Sequence, residues 1–420
     1  MLNIVKAKLA EKRKASVHRK NLALTTWEGV PAVIYQTLLG GQFLTGFLLY
    51  LGATSGELGL VLSMTTFVNI LQIAAAYFTQ RMKSRRLPLL VVTILQRIFW
   101  GLTGVIPWVL PKPWWVVSFI VIYTVAFAFN TVSAMLWSSL MSDLVPARVR
   151  GRYFGIRNTL LNAIGALFLF GGGILLDHME AGSGFLVLYA IAWICLIADA
   201  ILFFFYPDLP FERSDETKFW PLLQRPLRDR SFIGSTSFLA VFLFLQNLIV
   251  PLYPFIMLKR LDLNYQMVSL MSIAQTVFMM ASFYVWGNLN ARYSNKRLLF
   301  WTLPPIALSC LTWGFVTSMP GIAVLLVAHA LLGIGIGGFN QLAFNFMIGD
   351  TPKKDRPMYM ATYAALTGFM SFFGPLIGGK LQEGLNDAPS WAGVYGVQLV
   401  VGILMLALTV TLGRRILYHS

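Results

Sequence analysis

Five ionisable side chains interrupt the long apolar runs of this 420-residue chain, and chemistry inside a membrane would depend on them. They are Glu28, Arg97, Arg157, Asp199 and His329. A charge within an apolar run is costly to desolvate, so each needs a partner or a function. Carboxyl and imidazole groups can exchange protons, and guanidinium groups can balance carboxylates. The residue types therefore predict proton binding, internal ion pairing or both.

Arg97 and Asp199 stand at matching depth in helices that run in opposite directions. Arg97 follows Pro88 and Asp199 precedes Tyr206 by a similar number of residues, so both lie about 10 to 14 Å from the same edge of the membrane. This depth predicts a structural ion pair between Arg97 and Asp199, with substrate contact as the alternative.

Glu28 and His329 are the candidates for carrying a coupled proton. Glu28 lies about 9 Å into an apolar run that begins at Leu22, and a static pair with Arg157 or Arg152 is the alternative to proton exchange. His329 can carry a proton near neutral pH, but a lone histidine is also a common hydrogen-bonded core residue. No Cys, second His or acid lies at metal-ligand spacing from His329, so no metal site and no cofactor are predicted.

The elements that must position these groups are membrane-spanning helices. The chain is 57% hydrophobic and only 12% charged, with a mean hydropathy of +0.68, which excludes a soluble globule of this size. Twelve continuous apolar runs are each long enough to cross about 30 Å of hydrocarbon as a helix, and their continuity argues against strands. They lie near residues 22–52, 58–80, 88–110, 114–141, 153–176, 185–206, 232–258, 266–289, 298–317, 320–349, 359–382 and 391–413.

The net charge of +16 is strongly one-sided. Of the 33 Lys and Arg residues, 27 fall in the two ends of the chain and in the loops on one side of the predicted spans. The positive-inside bias therefore predicts that both termini are cytoplasmic, and the basic surface is expected to attract anionic lipid rather than nucleic acid. Cys195 and Cys310 both lie within spans, which predicts no disulfide framework. Short exterior loops without Asn-x-Ser/Thr acceptors fit a bacterial plasma membrane.

Two patterns recur along the chain at nearly one offset. The basic hairpin at 80–87 recurs at 291–298, and the Asp-to-Pro turn at 143–146 with its following helix recurs at 350–352. The second pattern includes Tyr153 and Tyr359. A duplication of half the chain in a membrane protein predicts two equivalent bundles with a pathway between them. We divide the chain into a basic tail (1–21), a first six-helix bundle (22–206), a linker (207–231) and a second six-helix bundle (232–420).

Twelve spans, cytoplasmic ends, a central loop and a basic motif after spans two and eight resemble the major facilitator superfamily across nearly the whole chain. The loop signature of that family is approximately Gly-x-Leu-x-Asp-Arg-x-Gly-Arg-Arg/Lys. The copy at 287–297 keeps Gly287, Leu289, Arg292 and the basic end, whereas the copy at 76–86 keeps Arg81 and the basic end. Neither copy has the acid. The resemblance implies an all-α fold of two six-helix bundles related by pseudo-twofold symmetry.

The resemblance also implies a cytoplasmic gate. In the family the missing acid belongs to a charge cluster that stabilises one of the alternating states. Here Asp143 and Asp350 are the acids that could replace it, each followed by an Arg within seven residues. Plain topology-setting charge is the alternative for any single Arg. The predicted gate residues are Arg81, Arg85, Arg86, Asp143, Arg150, Arg292, Lys296, Arg297, Asp350 and Arg356.

In this family spans one, four, seven and ten line the central cavity, which implies where a substrate would bind. Their amides and aromatic rings suit neutral, polyhydroxylated or amphipathic solutes better than compact anions. Helix packing is the alternative for each residue. The substrate-site candidates are Tyr35, Gln36, Gln42, Tyr123, Asn130, Gln246, Asn247, Tyr253, Phe339, Asn340, Gln341 and Asn345.

Glycines mark the helices expected to lie at the interface of the bundles, because they permit close approach and bending. The interface candidates are Gly172, Gly173, Gly374, Pro375, Gly378 and Gly379. The family's exporter signature, Gly-Pro-x-x-Gly-Gly, belongs on the fifth span, but here its Pro-containing form occurs on the eleventh. This departure weakens the case for antiport.

The sequence therefore predicts a secondary transporter that works by alternating access and acts as a monomer on a small-molecule substrate. Coupling to protons is predicted if Glu28 exchanges a proton rather than forming a static pair. Export of amphipathic or drug-like compounds is preferred slightly over uptake of a neutral nutrient such as a sugar. A non-transporting sensor or scaffold and a membrane-embedded enzyme using His329 with Asn340 or Asn345 are the less favoured classes. No nucleotide-binding loop is present that would suit a primary pump.

Overall fold

The computed structural model of the chain describes residues 2–79, 84–145, 147–208, 219–349, 351–352 and 356–418. The regular structure of these residues is helical throughout, with no strand. We number the helices that match the predicted spans α1 to α12. In the first half they are α1 (Leu2–Leu38 continued by Gly41–Tyr50), α2 (Ser55–Phe67 continued by Leu71–Thr79), α3 (Arg86–Val109), α4 (Trp115–Leu144), α5 (Ala147–His178) and α6 (Ala181–Phe204).

The second half repeats this order after a linker. A short segment, Phe219–Arg228, forms a helix in the linker, which we call the linker helix. The six helices that follow are α7 (Arg230–Arg260), α8 (Tyr265–Asn290), α9 (Asn295–Phe315), α10 (Gly321–Gly349), α11 (Arg356–Gly384) and α12 (Ala392–Tyr418).

Within the described residues, ten helices are long and apolar enough to cross a membrane. The two parts of α1 form an eleventh span if they are taken together across a bend of 41°. The two parts of α2 are separated by a 3₁₀ turn at Val68–Ile70. Together with α2 these spans confirm the predicted all-α architecture of twelve transmembrane helices. Large apolar side chains such as Leu167 and Ile194, each 68% exposed, cover the outside of the helices. Such a surface is suited to contact with lipid.

The ends of the helices follow from local sequence. α1 bends at Gly40 and Gly41, where Gly41 adopts a φ of +52° that residues with a Cβ rarely tolerate. α2 begins with a reciprocal capping box, in which the Thr54 N–H donates to Glu57 Oε2 (2.8 Å) and the Glu57 N–H donates to Thr54 Oγ1 (3.2 Å). α8, the equivalent helix of the second half, is capped by Asn264, whose side chain accepts from the Met267 N–H at 2.9 Å.

The duplication is visible in the contacts that tie helices together. The Tyr153 hydroxyl of α5 lies 2.6 Å from Thr25 Oγ1, near the start of the membrane-spanning part of α1. The equivalent Tyr359 of α11 donates to Asp229 Oδ2 at 3.2 Å, and Asp229 caps the start of α7 through the Ser231 and Phe232 N–H groups. The same residue type thus fastens the fifth helix of each half to its first.

Contacts within each half show which helix ends lie together. Arg86 of α3 donates to the Phe204 carbonyl at the end of α6, and Arg297 of α9 donates to the Tyr418 hydroxyl at the end of α12. Lys296 of α9 donates to Ser231 at the start of α7. We call the end that carries these basic hairpins the basic end, and the other the opposite end.

Two helix pairs provide most of the packing between the halves, and the end of α1 adds contacts with α7 and α8. α2 packs along α11, and α5 packs along α8. Glycines make this approach possible: Gly59 of α2 lies against the Pro375 carbonyl and Gly379 of α11, while Gly173 of α5 lies against the Tyr265 carbonyl and Ser269 of α8. The halves therefore touch backbone to backbone near the opposite end.

Candidate functional site

The interior of the first half contains an ion pair between α3 and α6. Arg97 Nε lies 2.5 Å from Asp199 Oδ2, and Asp199 is completely buried. Arg97 Nη1 also donates to the Gln96 side chain at 2.6 Å. The rings of Tyr35 and Phe203 lie 5.5 and 5.1 Å from the guanidinium carbon. Arg97 is therefore held by a carboxylate, an amide and two aromatic faces, which together offset its burial.

Glu28 of α1 lies in a second cluster of polar groups close by. Its Oε2 accepts from the Tyr206 hydroxyl at 3.0 Å and lies 3.6 Å from Arg157 Nη2 of α5. Arg157 Nε donates to the Thr25 carbonyl at 3.2 Å. Trp137 of α4 completes the cluster, since its Nε1 donates to the Tyr206 hydroxyl at 3.2 Å. Glu28 is only 3% exposed, so its carboxyl is enclosed by these partners.

The structure joins the two pairs into one network, which the sequence had suggested only as separate pairs. Glu28 and Asp199 are electrostatic neighbours, and each also interacts with Arg97. Two carboxyls and two guanidiniums from α1, α3, α5 and α6 thus share one interior, with a net charge of zero when all are ionised. We call Glu28, Arg97, Arg157 and Asp199 the four-charge network. A proton added to one carboxyl therefore changes the electrostatic interactions of the other three groups.

His329 lies in the core of the second half and not beside an acid in the described residues. It is 2% exposed, its Nδ1 lies 2.8 Å from the Leu325 carbonyl, and its ring centroid lies 5.9 Å from that of Tyr253. Tyr253 in turn packs on Trp313 at 4.6 Å. These contacts fit a histidine that fills an aromatic core, the alternative that the sequence left open.

Several substrate-site candidates are buried inside the bundles. Tyr35, Tyr123 and Tyr253 are at most 2% exposed, and Phe339 is 6% exposed. Tyr35 packs edge-on against Trp100 with centroids 5.6 Å apart. The structure therefore gives these four side chains packing partners within their own half rather than an open face on a cavity.

Three of the amides make contacts that hold helices together. Gln42 Nε2 donates to Ser269 Oγ and to the Tyr265 carbonyl (3.3 Å), which joins α1 to α8 across the two halves. Asn247 Nδ2 donates to the Leu243 carbonyl at 2.8 Å and to Ser371 of α11 at 3.3 Å. Asn345 donates to Asn290 at 2.9 Å within a set of three asparagines. Its members are Asn290, Asn295 and Asn345.

The remaining amides are better placed to meet a solute. Gln36 and Asn340 are exposed, and Asn130 and Gln341 are half-buried. The Oε1 atoms of Gln246 and Gln341 are buried and have no hydrogen-bond partner among the described residues. Unsatisfied buried acceptors need an explanation such as a water molecule or a ligand, so these five residues are the strongest remaining candidates for contact with a solute.

The first basic hairpin is anchored within its own half. Arg85 is 1% exposed and lies 2.5 Å from Asp143 Oδ2 and 2.7 Å from Ser139 Oγ, both on α4. Arg86 donates to the carbonyl of Phe204 at 2.7 Å. The expected pairing of Asp143 with the Arg cluster is thus made between α3 and α4, and it does not cross to the second half.

The second hairpin has different partners. Lys296 donates to Ser231 Oγ at 2.8 Å, while Arg297 donates to the Tyr418 hydroxyl at 2.9 Å and lies over its ring. Arg292 is exposed. Arg81 and Asp350 lie outside the described residues, as do the side chains of Arg150 and Arg356, so the structure places no contact for these four gate candidates.

The glycine candidates divide into two equivalent pairs. Gly172 faces Phe43 and Leu38 of its own half, and Gly378 faces the Leu248 carbonyl of its own half. Their neighbours Gly173 and Gly379 face the other half: Gly173 lies against α8, and Gly379 lies against Ser55 and Gly59 of α2. Gly374 approaches Asn247 of α7 within its own half.

Sequence reasoning missed Asp177, in the last turn of α5. Its Oδ1 and Oδ2 accept from the Tyr265 and Gln266 N–H groups, both at 2.8 Å, at the first turn of α8. The internal repeat could have revealed Asp177, because an acid, Glu383, occupies the equivalent position on α11. Ser269, which binds Gln42 and the Leu169 carbonyl (2.9 Å), was also missed.

Comparison with known proteins agrees with this architecture. Residues 236–416 match the profile of the Major Facilitator Superfamily. The matched residues all lie within the second half of the chain. It is 26% identical over 143 residues to "Multidrug resistance protein 3" of Bacillus subtilis (strain 168), a match that covers 34% of this chain and 27% of that protein. The chain thus aligns with about a quarter of the length of that relative.

Solved structures of other transporters resemble nearly the whole chain. The nucleoside transporter NupG has a TM-score of 0.68 at 14% identity, covering 94% of this chain and 98% of its own. A bacterial homologue of the human lysosomal transporter Spinster, in an inward-facing and unoccupied conformation, has a TM-score of 0.68 at 12% identity and covers 96% of this chain and 98% of its own. At these identities the similarity shows the fold alone.

Proposed function

We propose that this chain is a member of the major facilitator superfamily and a secondary transporter that moves a small solute by rocking its two halves about a central site. The observation that carries the proposal is the pseudo-symmetric contact between the halves, in which Gly173 meets α8 and Gly379 meets α2 at the opposite end. Backbone-to-backbone packing of this kind can separate without breaking either bundle. Two bundles joined in this way form the machinery that alternating access requires.

We propose that the basic end faces the cytoplasm of a bacterial cell, since most of the Lys and Arg residues lie there. On this orientation the closed contact at the opposite end faces outside. We further propose that the first hairpin, through Arg85 and Asp143, fixes α3 to α4 so that the basic end of the first half moves as one unit.

We propose that Glu28 is the proton-coupling residue and that the other three residues of the four-charge network balance its charge. When ionised, Glu28 is held by Arg157 and Tyr206. When protonated, it can donate to Asp199, whose Oδ1 is buried and has no other hydrogen-bond partner among the described residues. Both forms therefore have partners. A change from one to the other alters the contacts that α1 makes with α5 and α6.

The test is transport driven by a pH gradient in liposomes containing the purified protein. We expect Glu28→Gln to abolish pH-driven accumulation while leaving downhill exchange measurable, because the amide cannot release a proton. Glu180→Gln is the matched control, since Glu180 is an exposed acid of the same half. Unchanged pH dependence in Glu28→Gln would remove Glu28 from the coupling step. His329→Gln is the next variant, as His329 is the second candidate.

For the substrate we propose export of amphipathic compounds, with uptake of a neutral nutrient such as a sugar as the alternative. The candidates that can meet a solute are amides without fixed charge, such as Gln36, Asn340 and Gln341. The similarity to a protein named for multidrug resistance supports export, while the fold similarity to nucleoside and D-xylose transporters supports the alternative. A thermal-shift screen of the solubilised protein separates them, because stabilisation by sugars and not by lipophilic cations would overturn the export proposal.

A broad solute panel in the same liposomes tests the transport proposal itself. A folded protein that moves none of the compounds would favour a sensor or scaffold built on the transporter fold.

A further inference from the structure

Two acidic side chains stand in equivalent places at the opposite end of the molecule. Asp177 lies in the last turn of α5, four residues after Gly173, and Glu383 lies in the last turn of α11, four residues after Gly379. Each therefore follows the glycine that contacts the other half. The duplication has kept an acid at both positions although the two residue types differ.

Asp177 is seated on the first turn of a helix that belongs to the other half. Its two carboxylate oxygens accept from the N–H groups of Tyr265 and Gln266, both at 2.8 Å. The first N–H groups of a helix have no partner within the helix and carry the positive end of its dipole. Asp177 of the first half thus satisfies two free donors of α8 in the second half.

Glu383 occupies the equivalent place beside α2. Its Oε2 lies against Gly56, so closely that a Cβ at Gly56 would collide with it. Gly56 belongs to the first turn of α2, which begins at Ser55. The Thr54 and Glu57 side chains already cap this turn locally, so Glu383 adds a second carboxylate from the other half rather than replacing the cap.

The two contacts differ in kind from the rest of the interface between the halves. Gly59, Gly173, Gly379 and their neighbours meet through backbone atoms and provide close packing without charge. Gln42 adds neutral hydrogen bonds to Ser269 and Tyr265. Asp177 and Glu383 add full negative charges facing helix N-termini. Because each acid and its helix lie in opposite halves, both contacts must be lost when the halves separate at this end.

We propose that Asp177 and Glu383 form a pair of electrostatic latches that hold the opposite end closed and so set the balance between the two states of the transporter. The inference rests on the proposed alternating-access function. Each carboxylate stabilises the closed state alone, since the helix N-termini of α8 and α2 return to solvent when that end opens. The two latches act in parallel, one at α5 and α8 and the other at α11 and α2.

The experiment measures opening of this end directly, with spin labels on both halves in nanodiscs. Lys112→Cys in the first half and Lys259→Cys in the second place labels on exposed positions at the opposite end, with Cys195→Ala removing the less buried native thiol. We expect Asp177→Asn or Glu383→Gln to raise the ratio of long to short label distances about two- to five-fold each, and the double variant by roughly the product.

Matched controls are available at the same end. Glu180→Gln and Asp387→Asn neutralise exposed acids a few residues from each latch, and they should leave the distances unchanged. A second test uses the labelled protein with both latch acids intact. Raising the salt from about 0.05 M to about 0.5 M should shift the balance toward the open form, because salt screens charges at helix ends. Distances that stay constant in the double variant, or that shift equally in the controls, would overturn the proposal.

A transport assay on the same samples separates the latch from the transport function on which it rests. Variants that transport with wild-type distances would show that the latch is wrong and the transport function right. Distances that shift in a protein that transports nothing would show a closure device and reject the transport proposal.

Discussion

The interiors of the two halves differ although their frameworks are repeated. The first half encloses the four-charge network, whereas no Asp, Glu, Lys or Arg among the described residues of the second half is buried. The positions equivalent to Glu28 and Arg157, as counted from Tyr153 to Tyr359, are Gly234 and Tyr363. Contacts that fasten helices were therefore kept after duplication, while interior charge was confined to one half. Among the described residues, buried carboxyls whose protonation could alter helix contacts lie in the first half.

The largest effect is expected when one charge of the four-charge network is removed. Asp199→Ala should destabilise the protein by about 3–5 kcal/mol, because it leaves Arg97 buried without its carboxylate. His329→Gln should cost less than about 2 kcal/mol, since a neutral ring bonded to a backbone carbonyl carries no such penalty. Denaturant titration of the protein in micelles measures both.

A rescue variant provides the control for that result. Arg97→Met combined with Asp199→Leu should recover most of the lost stability, because it removes the pair together. If Asp199→Ala cost no more than His329→Gln, the interiors of the two halves would not differ in the way described.

A second test compares neighbouring glycines of α11. Gly378→Ala should destabilise folding by about 1–3 kcal/mol, because its Cβ would press on the Leu248 carbonyl inside the second half. Gly379→Ala presses instead on Gly59 and Ser55 of the first half, and separation of the halves can relieve that pressure. We expect a smaller loss of stability and longer label distances at the opposite end. Equal effects on stability and distance would contradict the division between contacts within and between halves.

The smallest expected effects compare the two basic hairpins. Arg85→Ala should cost about 1–3 kcal/mol, since Arg85 is buried and bound to Asp143 and Ser139. Arg297→Ala should cost about 0.5–1 kcal/mol, because its contacts with Tyr418 lie at the surface. Denaturant titration measures the loss of stability in each variant. A larger loss of stability for Arg297→Ala would show that the second hairpin is the stronger anchor.

Much of the fold could be predicted because hydropathy and charge act residue by residue along the chain. The twelve spans followed from apolar length, and the pairing of Arg97 with Asp199 followed from depth along helices of opposite direction. The bend at Gly41 and the extension of α1 back to Leu2 were not predicted, since caps and bends depend on backbone contacts that apolar runs do not report.

The candidate site was predicted less well. The family resemblance places Tyr35, Tyr123 and Tyr253 on helices that line the pathway in the family, but the sequence could not give the rotation of those helices about their axes. The structure turns these rings into the bundles and leaves Gln36 and Asn340 exposed. Gln42 is a predicted substrate-site residue, and the structure shows it bound to α8, where the bend in α1 brings it to the contact between the halves.

The sequence by itself determined that the chain crosses the membrane as helices, that its halves are duplicated and that its basic loops lie on one side. These properties depend on local composition and on repeated patterns, which need no knowledge of distant contacts. Only the tertiary structure decided that Glu28, Arg97, Arg157 and Asp199 form one network, and that Asp177 reaches the first turn of α8. Both depend on how helices far apart in the chain rotate and approach one another, and packing of the whole protein sets that geometry.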